Sequence, residues 1–276
     1  MMESKKLMWN IIKAVLLIVA AVFFIAPFLL VVYNSVKPTR EILENPLALP
    51  VIFNFTNFVM AFEKMRFFNA FVNSLIITTC SVLITTLFAS MHAYSLVRNK
   101  WKINRVVFLI MVASMLIPFQ AIMIPLVSIY GTIGFFNSKT SLIYMYLGFG
   151  ASMAVFIYHG FIKSIPLELE EAAMIDGCSK YYTFFKVVRP LLKPATMTIA
   201  ILNILWIWND FLLPSLVLIA AEQRTLPLSV FIFFGTYTVD YGLLMAGLMM
   251  TILPVIVIYI IFQKYIIQGV MQGAIK

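Results

Sequence analysis

The sequence predicts an all-α integral membrane protein with six transmembrane helices, and three observations predict it. Apolar residues make up 63% of the 276 residues and charged residues only 11%, against about 45–50% and about 25% in a soluble domain. Mean hydropathy is +1.01, more than a water-soluble core can accommodate. The apolar residues also fall into runs of about 20, the length of helix that crosses a hydrocarbon core about 30 Å thick. We therefore expect a single transmembrane domain over residues 1–276.

Six segments of the chain have this length and composition. The predicted spans are 11–33, 71–97, 106–130, 142–161, 195–220 and 243–262. The first apolar run is longer than the core of a signal peptide, about 7–15 residues, so we interpret it as a retained anchor. Breaks within the spans are predicted at four prolines, because proline removes a helical hydrogen bond. These are Pro118, Pro125, Pro214 and Pro254.

The basic residues predict how the helices are oriented. Of the 20 Lys and Arg residues, 14 lie on the side that holds both termini, and six lie on the other side. By the positive-inside rule, both termini are then cytoplasmic, and the loop 163–194 is the one sizeable cytoplasmic feature. An amphipathic helix is expected along the outer membrane surface at 57–68. The net charge of +9 comes from short clusters between apolar runs, which argues against nucleic acid as a partner.

The large cytoplasmic loop has the pattern of two helices joined by a turn. Ser164 and Ser179 can each cap a helix, and three glutamates fall in the first turn of the first helix, where its dipole favours negative charge. Gly177 can adopt the left-handed conformation that ends this helix. The second helix is expected to run to about Arg189 and to stop at Pro190.

Several motifs in this loop and outside it resemble one family. Glu171-Ala172-Ala173, with Gly177 four positions after it and the later Arg189-Pro190-Leu191 and Pro194, resembles the EAA loop of permease subunits of ABC importers. Together with this loop, motifs elsewhere in the chain are similar to the maltose-type branch, which takes up carbohydrates. They are Asn73-Ser74, Trp208-Asn209-Asp210-Phe211, Thr225-Leu226-Pro227 and the tail 262–274. The resemblance covers nearly the whole chain.

This resemblance implies a type I ABC importer permease, in the bacterial inner membrane, that moves a sugar or oligosaccharide into the cell. Its EAA loop docks on a cytoplasmic ATPase dimer, and a second permease and an external solute-binding protein complete the importer. The chain would be no enzyme and hold no cofactor, because ATP and Mg²⁺ bind to the partner subunits. The tail 268–276 would contact the ATPase interface. The residues predicted to couple to the ATPase are Glu171, Ala172, Ala173, Asp176, Gly177, Arg189 and Pro190.

Two further groups of residues are candidates for contact with solute or partner. Asp210 is the one acid inside a predicted span, and a carboxylate within the membrane suggests function. Pathway or gate residues are therefore predicted at Trp206, Asn209 and Asp210. A role of Asp210 as a cap of a broken helix, and of the tryptophans in an aromatic belt or core, stays open. The family also implies contact with the binding protein through Arg224, Thr225, Leu226 and Pro227.

Other classes of protein fit the sequence less well. The two His and two Cys residues have no metal-type spacing, so no metal site is predicted. An ion-driven transporter would be expected to carry charged relay residues near mid-membrane and internal repeats. An intramembrane enzyme would need clustered His, Cys or acidic residues. A nearer alternative is an ABC permease for glycerol phosphate or an acidic oligosaccharide.

Overall fold

The computed structural model describes residues 2–235 and 238–274, and most of these residues are helical. Within those ranges the only β-type pairing is an isolated bridge between Phe234 and Val239. The prediction of an all-α membrane protein is confirmed.

The α-helices are numbered in chain order. They are α1 (Met2–Asn34), α2 (Thr39–Glu44), α3 (Thr56–Lys64), α4 (Phe67–Arg98), α5 (Lys102–Ser114), α6 (Phe119–Thr132), α7 (Lys139–Ser164), α8 (Glu168–Ile175), α9 (Lys180–Thr183), α10 (Arg189–Leu191), α11 (Lys193–Asn209), α12 (Leu212–Val217), α13 (Leu226–Ser229) and α14 (Tyr241–Ala274). A π-helical turn, Phe184–Val188, joins α9 to α10, and 3₁₀ turns lie at Ala221–Gln223 and Val230–Phe233.

Four of the helical segments are long and apolar enough to cross a membrane alone. They are Met8–Asn34, Phe67–Arg98, Lys139–Ser164 and Tyr241–Ile261. Two pairs of shorter helices also qualify if each bent pair is one span. The pair α5 and α6 is bent by 101°, and the segment Lys180–Leu191 is bent by 74° against α11. Within the described residues the predicted number of six spans is thus reached when both bent pairs are counted.

The four prolines expected to break helices behave differently from one another. The break predicted at Pro118 is present, because α5 ends at Ser114 and Pro118 is the extended residue that precedes α6. The breaks predicted at Pro125 and Pro254 are wrong, since α6 and α14 continue through them. Pro214 lies in the first turn of α12, a position that proline tolerates. In lipid an unsatisfied backbone group is costly, so the helix keeps its other hydrogen bonds. The loss of the one bond that proline cannot donate does not end it.

The described residues of Met1–Phe68 and Ser229–Pro254 form one compact unit. In this unit the extramembrane segment after α1 is organised around Lys37, which is fully buried. Its Nζ donates to the carbonyl oxygens of Asn45 and Ala48, and Asn57 donates to the backbone oxygens of Ser35 and Lys37. The predicted amphipathic helix is present as α3, although it ends at Lys64 rather than at 68.

The second unit comprises the described residues of Asn69–Leu228 and Val255–Lys276. Its core lies between α4, α7 and α11, and α4 presents small and polar side chains to it, such as Ser81, Thr85 and Ala89. Small side chains permit close helix packing in membranes. At Gly150 of α7 an added Cβ would lie 2.8 Å from Oδ1 of Asn203 in α11, so glycine is needed at that crossing. The side chains of the tail 264–276 lie outside the described part of the structure.

Candidate functional site: the coupling hairpin and its surroundings

The first helix of the predicted cytoplasmic loop is α8, and its C-terminus has the expected geometry. Gly177 has φ of +87°, in the left-handed region. Its N–H donates to the Met174 carbonyl at 3.0 Å, and the Cys178 N–H donates to the Ala173 carbonyl at 3.0 Å. These two bonds form a Schellman motif, which satisfies the last carbonyls of the helix and reverses the chain. The left-handed turn predicted at Gly177 is confirmed.

Two expectations about the ends of the hairpin helices are wrong. Ser164 does not cap α8, because α7 continues as far as Ser164, whose hydroxyl donates to the Phe161 carbonyl at 2.8 Å. The second helix does not stop at Pro190 either, since α10 passes through it to Leu191. Proline is acceptable there because it lies in the first turn of α10. The cap predicted at Ser179 is present, and its hydroxyl oxygen accepts from the Tyr182 N–H at 3.3 Å.

The hairpin is fastened to the C-terminal end of α4 through Glu170. Nε and Nη2 of Arg98 both lie 2.7 Å from Oε1 of Glu170, and the Tyr94 hydroxyl donates to Oε2 at 2.7 Å. Arg98 also donates to the Ile165 carbonyl at 2.9 Å. Only 2% of Glu170 is exposed. A buried carboxylate of this kind is retained only where it is paired and hydrogen-bonded, so Arg98 and Tyr94 fix the position of α8.

Sequence reasoning missed Glu170, although the sequence carried a signal for it. Leu167, Glu170 and Met174 are spaced three and four positions apart, so they lie on one face of a helix. Of the three neighbouring glutamates, Glu170 is therefore the one that shares a face with two apolar residues. An acid on the inward face of a helix predicts a basic partner. Arg98, at the end of the second predicted span, was the nearest candidate in the same cytoplasmic cluster.

The predicted coupling residues lie mainly on the opposite, open face of the hairpin. Glu171, Ala172 and Asp176 are exposed, and Ala173 is half-buried. Ile175 beside them is 85% exposed. Arg189 and Pro190 are exposed at the end of the second helix, where Arg189 lies 5.7 Å from the Phe185 ring centroid. Apolar side chains next to charged ones on an exposed face are typical of a protein contact surface.

The predicted pathway residues Trp206, Asn209 and Asp210 separate into different environments. Trp206 is 43% exposed, whereas the neighbouring Trp208 is only 3% exposed and packs edge-on against Phe71. Asn209 is exposed, and its Nδ2 donates to the Leu205 carbonyl of the same helix at 2.7 Å. Asp210 lies at the break between α11 and α12, where Oδ1 accepts from the Leu212 N–H at 3.0 Å and Oδ2 accepts from the Tyr146 hydroxyl at 2.9 Å. Asp210 therefore caps a broken helix, one of the two roles that the sequence left open.

The loop predicted to contact a binding protein is held near the N-terminal end of α4. Nδ2 of Asn73 donates to the carbonyls of Glu222 and Arg224 at 2.8 and 3.0 Å, while its Oδ1 accepts from Lys139 Nζ at 2.8 Å. The Ser74 hydroxyl accepts from the Leu226 N–H at 2.7 Å. The Asn73-Ser74 and Thr225-Leu226-Pro227 motifs, which are about 150 positions apart, thus form one cluster.

Burial divides that loop into an anchoring part and an open part. Thr225 and Leu226 are buried, and Arg224 and Pro227 are half-buried. Ile219 and Glu222 are exposed. The backbone N–H groups of Ile219 and Ala220 donate to Oδ1 of Asn137 at 3.1 and 2.8 Å, which fixes the start of the loop. The exposed residues therefore flank the motif that the sequence suggested, since Phe231, Ile232 and Phe234 after it are also exposed.

Among the described residues, His, Cys, Asp and Glu side chains form no cluster of three or more that could hold a metal ion. The candidate site consists instead of two loops, each held by side chains at one end of α4. The hairpin is held by Arg98, and the loop before Leu226 is held by Asn73.

Comparison with known proteins assigns this arrangement to a family. Residues 85–272 match the family model described as the inner membrane component of binding-protein-dependent transport systems. The chain belongs to this family. The matched region includes the hairpin, the anchoring Arg98 and the outer loop. The family resemblance given by the EAA motif is confirmed.

Relatives and solved structures agree with this assignment. The chain is 45% identical over 259 residues to the probable starch degradation products transport system permease protein AmyC of Thermoanaerobacterium thermosulfurigenes, with 94% of each chain covered. It is 36% identical to the melibiose/raffinose/stachyose import permease protein MelC of Bacillus subtilis, covering 97% of this chain and 96% of that one. A crystal structure of a bacterial ABC transporter that imports the acidic polysaccharide alginate contains a chain of the same fold. Its TM-score is 0.80 at 23% identity, with 94% of this chain and 96% of that chain covered.

Proposed function

We propose that this chain is one of two permease subunits of an ATP-driven importer that moves a sugar or oligosaccharide into a bacterial cell. The observation that carries the proposal is the hairpin of α8 and α9, which presents Glu171 and Ala172 on an open face while Glu170 fastens the other face to α4. The sugar class is supported by the two relatives whose alignments cover 94% and 97% of this chain. One is a probable permease for starch degradation products, and the other is an import permease for melibiose, raffinose and stachyose.

The orientation follows from charge. With the hairpin in the cytoplasm, Arg98, Lys163 and the other basic residues of the inner cluster lie on the same side, as the positive-inside rule requires. Both termini are then cytoplasmic. The loop anchored on Asn73 faces outward, where a solute-binding protein approaches. The family description, which refers to a binding protein and to the inner membrane, supports this placement.

The number of helices in this chain and the exposed face of its hairpin indicate which partners it needs. A path wide enough for a sugar needs more helices than six, so a second, homologous permease is expected to form the other half. ATP hydrolysis belongs to a cytoplasmic ATPase dimer, which binds ATP and Mg²⁺ and docks on the exposed face of the hairpin. The anchored outer loop presents Ile219 and Glu222 to the binding protein.

The proposed mechanism depends on the stiffness of the hairpin. ATP binding can reorient the helices only through contacts that differ between the inward-facing and outward-facing states. When the ATPase subunits close, they displace α8. Because Glu170 ties α8 to Arg98 and Tyr94, α4 moves with it. The small side chains of Ala172 and Ala173 would let the ATPase pack closely against α8, so that a movement of the ATPase moves α8 by a similar distance.

A decisive test uses the complete importer reconstituted in lipid vesicles with ATP inside. Maltotriose and raffinose uptake should continue when ion gradients are collapsed and should stop when ATP is depleted. Uptake that follows the ion gradient instead would establish an ion-driven transporter and refute the proposal. Preferential uptake of glycerol phosphate or of an acidic oligosaccharide would refute the sugar assignment while retaining the ABC mechanism.

Two substitutions test the hairpin itself. Gly177→Pro cannot adopt φ of +87°, since the proline ring fixes φ near −65°. Glu171→Lys reverses an exposed charge on the docking face. Both variants should insert into the membrane at normal levels and lose transport. Cys178→Ser, an isosteric change one residue from Gly177, is the matched control and should transport normally. Normal uptake in both test variants would contradict the coupling assignment.

A further inference from the structure

A cavity of about 530 Å³ lies in the second unit beside the gap between α5 and α6. This volume is within the range of small-molecule sites, about 300–1,000 Å³. Its wall combines Ser114 at the end of α5, Gly148 and Ser152 of α7 and Trp206 of α11. None of these residues belongs to the motifs that resembled the family, although Trp206 is one of the predicted pathway residues.

The cavity lies near the middle of the membrane. Ser114 is nine residues from Arg105 along α5, about 14 Å at 1.5 Å per residue. Ser152 is eleven residues from Lys163 along α7, about 16 Å by the same rise. Both basic residues belong to the inner cluster. The two serines are therefore near half the depth of a hydrocarbon core about 30 Å thick, and their hydroxyls are hydrogen-bonded to each other at 2.8 Å.

The gap between α5 and α6 interrupts the helical backbone at this depth. The N–H groups of Met115, Leu116 and Ile117 still donate to carbonyls three residues earlier, at 3.1–3.3 Å. Pro118 has no N–H, so the Ser114 carbonyl lacks its α-helical partner. Within a membrane, helix breaks of this kind occur where neighbouring protein or a water-filled cavity satisfies the freed groups, which favours a position on the path or against the second permease.

The groups in the cavity suit a sugar ring. Trp206 is 43% exposed, and its ring is supported from the side by Tyr146, with the ring centroids 5.5 Å apart at 80°. An indole presents a flat apolar surface and an N–H donor at its edge, which match the C–H face and the hydroxyls of a pyranose. Because the Ser114 hydroxyl donates to the Met111 carbonyl at 2.7 Å, the Ser152 hydroxyl is the donor in the bond between the two serines. The remaining lone pairs of both oxygens can accept hydrogen bonds from the hydroxyls of a sugar. Trp208, by contrast, is buried against Phe71 and is unavailable.

We propose that this cavity is a sugar-ring subsite on this chain's wall of the transport path, with Trp206 as the stacking platform and Ser114 and Ser152 as the hydrogen-bonding pair. The proposal rests on the proposed function, and it deepens that function by locating a contact for the solute within this subunit.

Gly148 provides a direct test, because a Cβ added there would meet nothing within 4 Å and would enter the cavity. Gly160 is a matched control on the same helix, with equally open space but no place in the cavity wall. In the complete importer, Gly148→Leu should abolish maltotriose and raffinose uptake while ATP hydrolysis stimulated by the binding protein persists. Gly160→Leu should leave both activities unchanged.

Modification of Gly148→Cys by a water-soluble methanethiosulfonate reagent identifies what fills the cavity. The native chain, with Cys80 and Cys178, gives the background. Modification should occur without sugar and become several-fold slower when the binding protein, ATP and maltotriose or raffinose are added. Gly160→Cys should show no sugar dependence. Trp206→Ala should raise the KM for uptake about two- to tenfold, the range for loss of an aromatic contact, and Trp206→Phe should restore most of it.

Each contrary result overturns the inference in a recognisable way. If Gly148→Cys is never modified by the aqueous reagent, lipid or the second permease fills the cavity. If it is modified equally with and without sugar, the cavity holds water but not the solute. If the native importer takes up neither sugar, the proposed function itself fails, whereas native uptake without protection refutes only the subsite.

Discussion

The two ends of α4 fasten their loops by different chemistry. At the C-terminal end, proposed to be the inner one, a buried ion pair of Arg98 with Glu170 holds the hairpin, supported by the Tyr94 hydroxyl. At the N-terminal end, proposed to be the outer one, the neutral amide of Asn73 holds the backbone carbonyls of Glu222 and Arg224. One attachment therefore depends on a particular side chain of its loop, whereas the other depends on the shape of the loop backbone.

This difference suits what each loop has to do. An ion pair inside a low-dielectric contact is costly to leave half-made, so in the proposed mechanism it would keep α8 and α4 together while an ATPase displaces the hairpin. Backbone carbonyls, by contrast, are present whatever the side chains are. A loop held through its carbonyls can vary its exposed residues, such as Ile219, to match a binding protein without losing its conformation. The comparison can be tested by removing each attachment separately.

The largest effect is expected from Glu170→Ala. It leaves Arg98 without its buried partner, and breaking a buried ion pair in this way costs about 3–5 kcal/mol. Thermal unfolding of the purified importer should shift markedly downward, and sugar uptake in vesicles should be lost. Reversing the pair with Glu170→Arg and Arg98→Glu should recover part of the uptake. A Glu170→Ala variant with native stability and uptake would show that the ion pair does not hold the hairpin.

A smaller effect is expected from Asn73→Ala, which leaves the carbonyls of Glu222 and Arg224 without their donor. Loss of such bonds costs about 1–3 kcal/mol. Because the loop lies on the outside, the affinity for the binding protein should fall, and so should the ATP hydrolysis that it stimulates. Basal hydrolysis should be unchanged.

The control for Asn73→Ala is Thr132→Ala, since the exposed Thr132 hydroxyl donates to the Ile129 carbonyl of its own helix at 2.8 Å and belongs to none of the predicted sites. A loss of basal hydrolysis in Asn73→Ala, with normal binding-protein affinity, would place Asn73 with the inner attachment rather than the outer one.

The smallest effect is expected from Lys139→Met. This change keeps most of the side-chain length but removes the donor to Oδ1 of Asn73, while Asn73 keeps both bonds to the loop. We expect a cost of about 0.5–1.5 kcal/mol, the net value of one hydrogen bond, and a slight weakening of binding-protein affinity. An effect as large as that of Asn73→Ala would mean that Lys139, rather than the amide, positions the loop.

Local features of the hairpin could be predicted because they depend on neighbouring residues. The left-handed turn at Gly177 and the cap at Ser179 follow from residue types and the chain direction, and both are present. The cap expected at Ser164 is not formed because α7 continues to that residue, and its hydroxyl bonds to the Phe161 carbonyl within α7. The predicted stop at Pro190 was wrong because the π-helical turn leads directly into α10. Pro190 lies in the first turn of α10, where proline is tolerated.

Features that depend on distant residues could not be predicted in the same way. No local rule distinguishes buried Trp208 from accessible Trp206, since the difference arises from Phe71 on α4. The role of Asp210 as a helix cap was one of two alternatives, and the Tyr146 and Leu212 contacts select it. The motif at Thr225-Leu226-Pro227 was recognised, but its burial beneath Asn73 and Ser74 was not.

The sequence alone determined that the chain is a membrane protein and where the hairpin turns, and its charge clusters predict the orientation. Hydropathy, charge distribution and backbone conformational preference act over a few residues, so they can be read along the chain. The tertiary structure decided that Glu170 pairs with Arg98, that α4 holds a loop at each end, and that the gap between α5 and α6 opens a cavity. Those outcomes depend on which helices meet, and packing across about 70 to 150 positions of chain is not encoded in any local pattern.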